Sequence, residues 1–431
     1  MRRPLALALL VVTSIACTRE DGLPPIPPPS AASSAPSGEG VEVVTGPTTA
    51  AQAMRKLCIS PEVVSPPVQV RPTPPSIAEV ESQVETVREL EYTRPVNAEP
   101  VTPAEIDRRL REYFRAAYPK RFYARRTKAW RTIGAIPEGV GILEALNRYQ
   151  QGQVLGFYNS QNGELVYTGD EELSRIEQFI LAHELTHAID DQHFDLDRLD
   201  EIAATCQDER VLAALGTVEG SANHFATQVV LRFPIAEIGD IPGDEAQGVP
   251  PLIVELQAYP YTDGQVFIDA LADDGGPDAV NGALESFPVS TEQVLHPAKF
   301  GVDAPERVDV PDFAPTFGDG WRDLDVMVVG EVWLRALLHT RLGEVASDRA
   351  AAGWDGGMYR AWSDGDDVAV LMTTVWDTPA DAVEFAAALD EWTKEDEGPA
   401  TVVLRDGTTV HAGFGTDQRL EAPLAAAIGS L

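Results

Sequence analysis

The run Ser174-Arg175-Ile176-Glu177-Gln178-Phe179-Ile180-Leu181-Ala182-His183-Glu184-Leu185-Thr186-His187 decides how this chain is read. Ser174 and Glu177 stand three apart ahead of an apolar run, the spacing of a capping box in which the serine caps a helix and the glutamate reaches back. The spacing predicts a helix from Ser174, with Ile176, Phe179 and Ile180 on its apolar face and His183 and His187 following on that face. Histidines four apart on a helix lie one turn apart, where both imidazoles can bind one ion. Glu184 sits beside them, placed to take a proton from a water that zinc has made acidic and to pass it to a leaving amine. Only seven histidines occur in 431 residues, so a chance His-Glu-x-x-His is rare. The residues predict Zn2+ on His183 and His187 with Glu184 as general base, the arrangement of a metal-dependent peptide hydrolase.

Such a site wants three protein ligands and one open position. Two residues compete for the third place. His193 stands ten residues after His183, but Asp190 occupies the position where that spacing usually has a glycine. Glu219 lies at the edge of an apolar helical face made by Leu215, Val218, Ala222, Phe225, Ala226 and Val229, where a carboxylate needs a partner. Gly216, Gly220 and Ser221 beside it would let another helix approach, and Asn223 one turn on could orient a ligand histidine. Glu219 is preferred here, and His193 stays open. Among the other histidines, His296 follows a Ser-Thr-Glu-Gln turn and is a candidate oxyanion donor, set against a capping or core role. Tyr158 and Tyr167 are read either as cleft residues or as packing, and His224 as structural. The run Asp190, Asp191, Asp195 and Asp197 lacks the spacing of a calcium loop and is read as a solvated rim.

The ends of the chain place this core. Arg2-Arg3, the apolar stretch Leu5–Val12 and Ser14-Ile15-Ala16-Cys17 predict an export signal over residues 1–17 with a lipidated Cys17, hence a membrane anchor and a site outside the cytoplasm. Residues 18–75, rich in proline and serine, read as a tether, with a short helix near Ala51–Cys58 inside it. Cys58 and Cys206 remain as a possible disulfide, left open. Folding is expected over 76–325, followed by an α/β segment over 326–431 with strands at Val368–Val375 and Thr401–Leu404. The Asn162-Gly163 turn predicts a hairpin between Val154–Tyr158 and Glu164–Tyr167. Helices are expected near Ile77–Leu90, Pro103–Ala117 and Asp208–Arg232, with more between Pro250 and Leu295. The formal net charge of −35 argues against nucleic acid as a partner. The basic stretch Arg108–Arg131 is expected to face acidic groups of the same chain. Oligomeric state is not legible.

Gly156-Phe157-Tyr158, His183 through Leu196, Glu219-Gly220-Ser221-Ala222, Ser290 through Pro297, Gly330-Glu331 and Ala352-Gly353-Trp354 together resemble a group of largely uncharacterised bacterial HExxH proteins similar to the gluzincin branch of the zincin metallopeptidases. The likeness runs from about Ser76 onward, although Asp190 stands where glutamine is usual. It implies an α+β, mainly helical zincin-like domain and a zinc site of His183, His187 and Glu219 acting on a peptide or protein substrate. The alternative is a zinc-containing surface module that binds and does not cut.

Overall fold

The capping box is formed: Glu177 N donates to Ser174 Oγ at 3.3 Å and Ser174 N donates back to Glu177 Oε2 at 2.8 Å, so the helix starts where its sequence says. This computed structural model describes residues 49–58, 73–117, 120–150, 155–168, 173–235, 248–394 and 400–431. The expected signal, Cys17 and most of the expected tether lie outside the described residues. In chain order the elements are α1 (Ala50–Leu57), α2 (Pro75–Arg88), β1 (Asn97–Pro100), α3 (Pro103–Ala117), α4 (Lys120–Ile133), α5 (Ile142–Gln150), β2 (Gly156–Asn159), β3 (Glu164–Tyr167), α6 (Arg175–Phe194), α7 (Arg198–Ala204), α8 (Asp208–Arg232), α9 (Pro251–Glu285) and α10 (Thr291–Leu295). Then come α11 (Ala314–Phe317), β4 (Arg322–Val328), α12 (Glu331–His339), α13 (Glu344–Ala351), β5 (Trp354–Asp364), β6 (Asp367–Trp376), α14 (Pro379–Lys394), β7 (Thr401–Asp406), β8 (Thr409–Gly415) and α15 (Glu421–Ile428). The architecture is α+β.

The N-terminal part is helical around a small sheet ordered β1-β3-β2, with β3 parallel to β1 and antiparallel to β2. The β2–β3 turn is the one its Asn-Gly demands: Gly163 takes φ 68°, and Asn159 and Asn162 accept from the backbone two residues on. β2 lies directly on α6, where a methyl on Gly156 would stand 3.3 Å from Glu184 Cγ and 3.2 Å from Ile180 Cγ2. Helix α8 crosses α9 on glycine. A Cβ on Gly220 would come within 2.2 Å of the Gly264 carbonyl, and one on Gly264 within 2.2 Å of the Gly216 carbonyl. The small residues read from the sequence as a contact for a second helix make that contact.

A buried ion pair ties α2, α6 and α8 together. Arg88 Nε donates to Asp190 Oδ1 at 2.7 Å, Ser221 Oγ donates to the other Asp190 oxygen at 2.7 Å, and the guanidinium lies 4.6 Å from the Phe225 ring centre. Asp191 is also buried, accepting from Tyr158 Oη and Arg94 Nη2, each at 2.8 Å. The expectation of a solvated acidic rim therefore fails at its first two members, because arginines from before β1 come down onto them.

The second sheet runs β4-β5-β6-β8-β7, every pair antiparallel. Alternate residues serve two cores. Tyr359, Ala361, Val370, Met372 and Phe414 pack with Trp130, Trp333 and Phe385 of α4, α12 and α14, while Met358, Trp362 and Leu371 pack with Ala50, Ala53 and Leu424 of α1 and α15. β4 starts at Arg322 and runs through the expected 325/326 division, so this unit opens a few residues earlier. Helix α1 lies within the expected tether, yet Ala50 and Ala53 are fully buried, and those residues belong to the folded body. Cys58 at its end is bonded to Cys206 ahead of α8, with Cα atoms 5.8 Å apart. The basic stretch faces acids as expected: Arg109 meets Glu99 and Glu164, and Arg126 meets Asp208 and Asp325.

Candidate metal centre

His183 and His187 leave α6 one turn apart and point at α8. His187 Nε2 lies 2.9 Å from His183 Nε2, and Glu219 Oε2 lies 3.2 Å from the first histidine's Nε2 and 3.3 Å from the second's. The three donor atoms fall within 4.8 Å of one another, a set that could hold a metal ion. A second such group, Glu292, Asp303 and Asp377, is already bridged by the Lys299 ammonium.

The surroundings fix how the first group presents itself. Asn223 Nδ2 donates to the Tyr261 carbonyl at 3.0 Å, which turns its Oδ1 toward His183 Nδ1 at 2.9 Å. Nδ1 must then carry the proton, leaving a lone pair on His183 Nε2. Burial works to raise the Glu219 carboxyl, but His187 and His183 outweigh it and pull it down to about 2, so it is a carboxylate at neutral pH. Two imidazole nitrogens and a carboxylate oxygen this close in the interior need a positive charge among them, either a shared proton or a metal cation. The donor set of two nitrogens and one oxygen suits zinc. These observations fit the group to the residues present.

Glu184 lies next to this group and outside it. It is fully buried, and neither carboxylate oxygen has a well-formed hydrogen bond among the described residues; the Tyr158 backbone N–H gives only partial support. Burial, with the nearby Glu219 charge second, raises its carboxyl well above the usual range. Tyr261 of α9 completes the wall. Its ring stacks on His183 with centroids 6.2 Å apart, and its hydroxyl hydrogen-bonds Glu219. All four residues, His183, Glu184, His187 and Glu219, are at most 2% exposed.

The remaining candidates fall elsewhere. His193 is exposed at the end of α6 and its Nε2 meets the Glu91 carbonyl at 2.8 Å, because the helix continues through Asp190 and carries it away. His296 pairs with Glu331 at 2.9 Å, which raises the imidazole, and is not brought to the His183 group. It belongs to the cluster where Thr291 caps onto Glu209; ten residues of α8, about 15 Å, separate Glu209 from Glu219. Tyr158 and Tyr167 are buried, and Tyr158 is engaged with Asp191, a packing role. His224 pairs with Asp269, His339 with Glu255 and His411 with Thr373. Tyr261 was not legible: nothing in its sequence neighbourhood marks it, and only the α8–α9 crossing brings it to Glu219.

A family model described as a domain of unknown function, DUF8575, matches residues 321–422. This is the second sheet with its helices, from the residue before β4 into α15, and it does not include the His183 group. No curated protein and no solved structure matches the chain.

Proposed function

We propose that this protein is a zinc-dependent peptide hydrolase of zincin type whose centre is His183, His187 and Glu219. The observation that carries the reading is the convergence of those three donors beside a buried carboxylate, Glu184, that no side chain among the described residues engages. A zinc ion bound there would supply a Lewis acid for the scissile carbonyl and an acidified water. Glu184 would accept the water proton and deliver it to the leaving nitrogen; its raised affinity for protons suits the second half of that task. Asn223 would hold His183 in the tautomer that leaves Nε2 free, and Tyr261 would hold Glu219. β2, packed on α6 through Gly156, would keep the base aligned.

Export with a lipid anchor on Cys17 is part of the same proposal. The Cys58–Cys206 disulfide supports an oxidising compartment. The second reading, a metal-holding module that does not cut, is favoured by the closure of the site, since a peptide must find an opening before it can be cleaved.

One set of variants separates the readings. Purified wild type is expected to carry about one zinc per chain, and His183→Ala and Glu219→Ala to lose it. Glu184→Gln is expected to keep the metal and lose cleavage of a peptide library. Full zinc in the Glu219 variant would sink the ligand assignment, and undiminished cleavage by Glu184→Gln would sink the mechanism.

A further inference from the structure

Helix α4 carries Lys120, Arg121, Arg125, Arg126, Lys128 and Arg131 and no carboxylate, in a chain of net charge −35. Arg126 is the buried one of the six, and Asp208 and Asp325 neutralise it. Arg125 lies half-buried against α1, its Nη2 donating to the Leu57 carbonyl at 2.6 Å. Lys120, Lys128 and Arg131 instead line an open groove between α4 and α5, joined there by Arg148 of α5. Arg131 donates through Nε and Nη2 to the Val140 carbonyl at 3.0 and 2.8 Å, and Arg148 through Nη1 to the Gly248 carbonyl at 3.0 Å. A carbonyl holds a guanidinium in place and leaves its charge standing. Two exposed carboxylates face the groove cations: Glu144 lies 2.9 Å from Arg148, and Asp366 lies 3.6 Å from Lys128. Among the described residues no carboxylate pairs with Lys120, Arg121 or Arg131.

The place of this basic face in the chain says what it meets. Through Arg125 and Leu57 it adjoins α1, whose last turn adds the exposed Arg55 and Lys56. Ala50, where α1 begins, precedes Leu57 by seven residues, about 10 Å of helix. A chain held at Cys17 therefore enters its folded body beside the basic face. Residues 18–48 could span at most about 100 Å, which is too long a reach to orient the body by itself. Charge can orient it. Each Lys or Arg close to an anionic leaflet strengthens partitioning about fivefold. The acidic remainder of the molecule, once further than a Debye length of about 8 Å from the headgroups, is screened from them.

We propose that the α4–α5 face, with Arg55 and Lys56 of α1, docks on a lipid surface carrying anionic headgroups and so sets how the folded body stands on the membrane. The choice of partner rests on the Cys17 anchor proposed above, and the hydrolase reading plays no part in it. The acyl groups would hold the chain to the bilayer, and the basic face would decide which side of the body looks at it.

The test uses the whole mature chain with Cys17→Ser, so that no acyl group contributes, and co-sedimentation with two kinds of vesicle. One is phosphatidylcholine alone, and the other mixes phosphatidylcholine with phosphatidylglycerol. The chain is expected to partition onto the anionic vesicles at least roughly 100-fold more strongly, and less so as salt is raised. Adding Lys120→Glu, Arg121→Glu and Lys128→Glu together, all at exposed positions, is expected to bring binding down to the level on phosphatidylcholine, with circular dichroism unchanged. Adding instead Lys394→Glu, Arg405→Glu and Arg419→Glu makes the same change of charge at exposed positions outside the groove, and this variant is expected to bind as the unreversed chain does. Equal binding to both vesicles, no loss on reversing the α4 cations, or an equal loss in the second variant overturns the proposal. Tighter binding to soluble polyglutamate than to the anionic vesicles overturns it in favour of an acidic polypeptide. Failure of the anchor reading shows separately, as wild-type chain whose mass lacks a diacylglyceryl group, and leaves the vesicle result unaltered.

Discussion

Asn223 makes two hydrogen bonds, one to the Tyr261 carbonyl and one with His183. With its amide turned by the Tyr261 carbonyl, it sets which nitrogen of His183 is free. Removing it is expected to weaken zinc binding roughly 10–100-fold, read by competition with a chromophoric chelator, with the fold retained. Glu209 gives a pH signature. Burial first, and then the charges of Glu331 and Glu292, hold its carboxyl at about 7 against the hydrogen bonds from Thr291. A carboxyl whose folded pKa is raised binds its proton more tightly in the native state. Its favourable contribution is complete below the unfolded value near 4.5 and is lost as pH rises through 7. Glu209→Gln keeps the acceptor for Thr291 and removes the titration. Urea unfolding at pH 5 and pH 8 is expected to show wild type losing about 2–3 kcal/mol more than the variant across that interval; equal losses would refute it. At this scale Ser174, Glu177, His183, Glu184, His187, Glu219 and Asn223 were legible, because each is fixed by its position along one helix. Tyr261, Arg88 and the burial of Asp190 were not, since each depends on which distant helix arrives beside it.

Between elements, the α8–α9 crossing governs where Glu219, the proposed third ligand, stands. Gly220 adjoins Glu219, and its missing side chain is what lets the Gly264 backbone sit against α8. Gly220→Ala is expected to force the helices apart at a cost of about 1–3 kcal/mol, visible in the urea midpoint, and to lower zinc affinity by displacing Glu219. An unchanged midpoint would show that the crossing relaxes freely. Helices α3 and α8 were readable end to end, and α6 at its start from the capping box, but not where α6 ends. Strands β4 and β5 were not anticipated. β5 carries Gly356-Gly357 inside it, a pair that weakens any strand signature, and its reason is tertiary: a Cβ there would come 2.5 Å from the Glu306 carbonyl or 2.7 Å from that of Val329.

For the molecule as a whole, the Cys58–Cys206 bond closes a loop of 148 residues and anchors α1, which covers one face of the second sheet. Replacing both cysteines by serine is expected to lower stability by about 2–4 kcal/mol and to loosen α1 first, measured by urea unfolding and by hydrogen exchange at Ala53. No change in either would mean that packing of Ala50 and Ala53 alone holds the helix. The division between a helical part with the candidate site and a sheet part with the family match was visible in outline, but its seam was not. The sequence boundary fell inside β4, after Asp325, because the charged first half of that strand, Arg322-Asp323-Leu324-Asp325, does not read as strand until it pairs with β5.

Enclosure of the four site residues gives the protein a clock. An ion held behind Tyr261 and β2 can leave only when the surrounding helices part, so its departure would follow the rate of that breathing rather than the concentration of whatever competes for it. Stripping with EDTA is then expected to reach a plateau rate as the chelator is raised, and mild urea, which speeds opening, to lift that plateau. A rate that climbs in proportion to EDTA would show that the chamber already has a door.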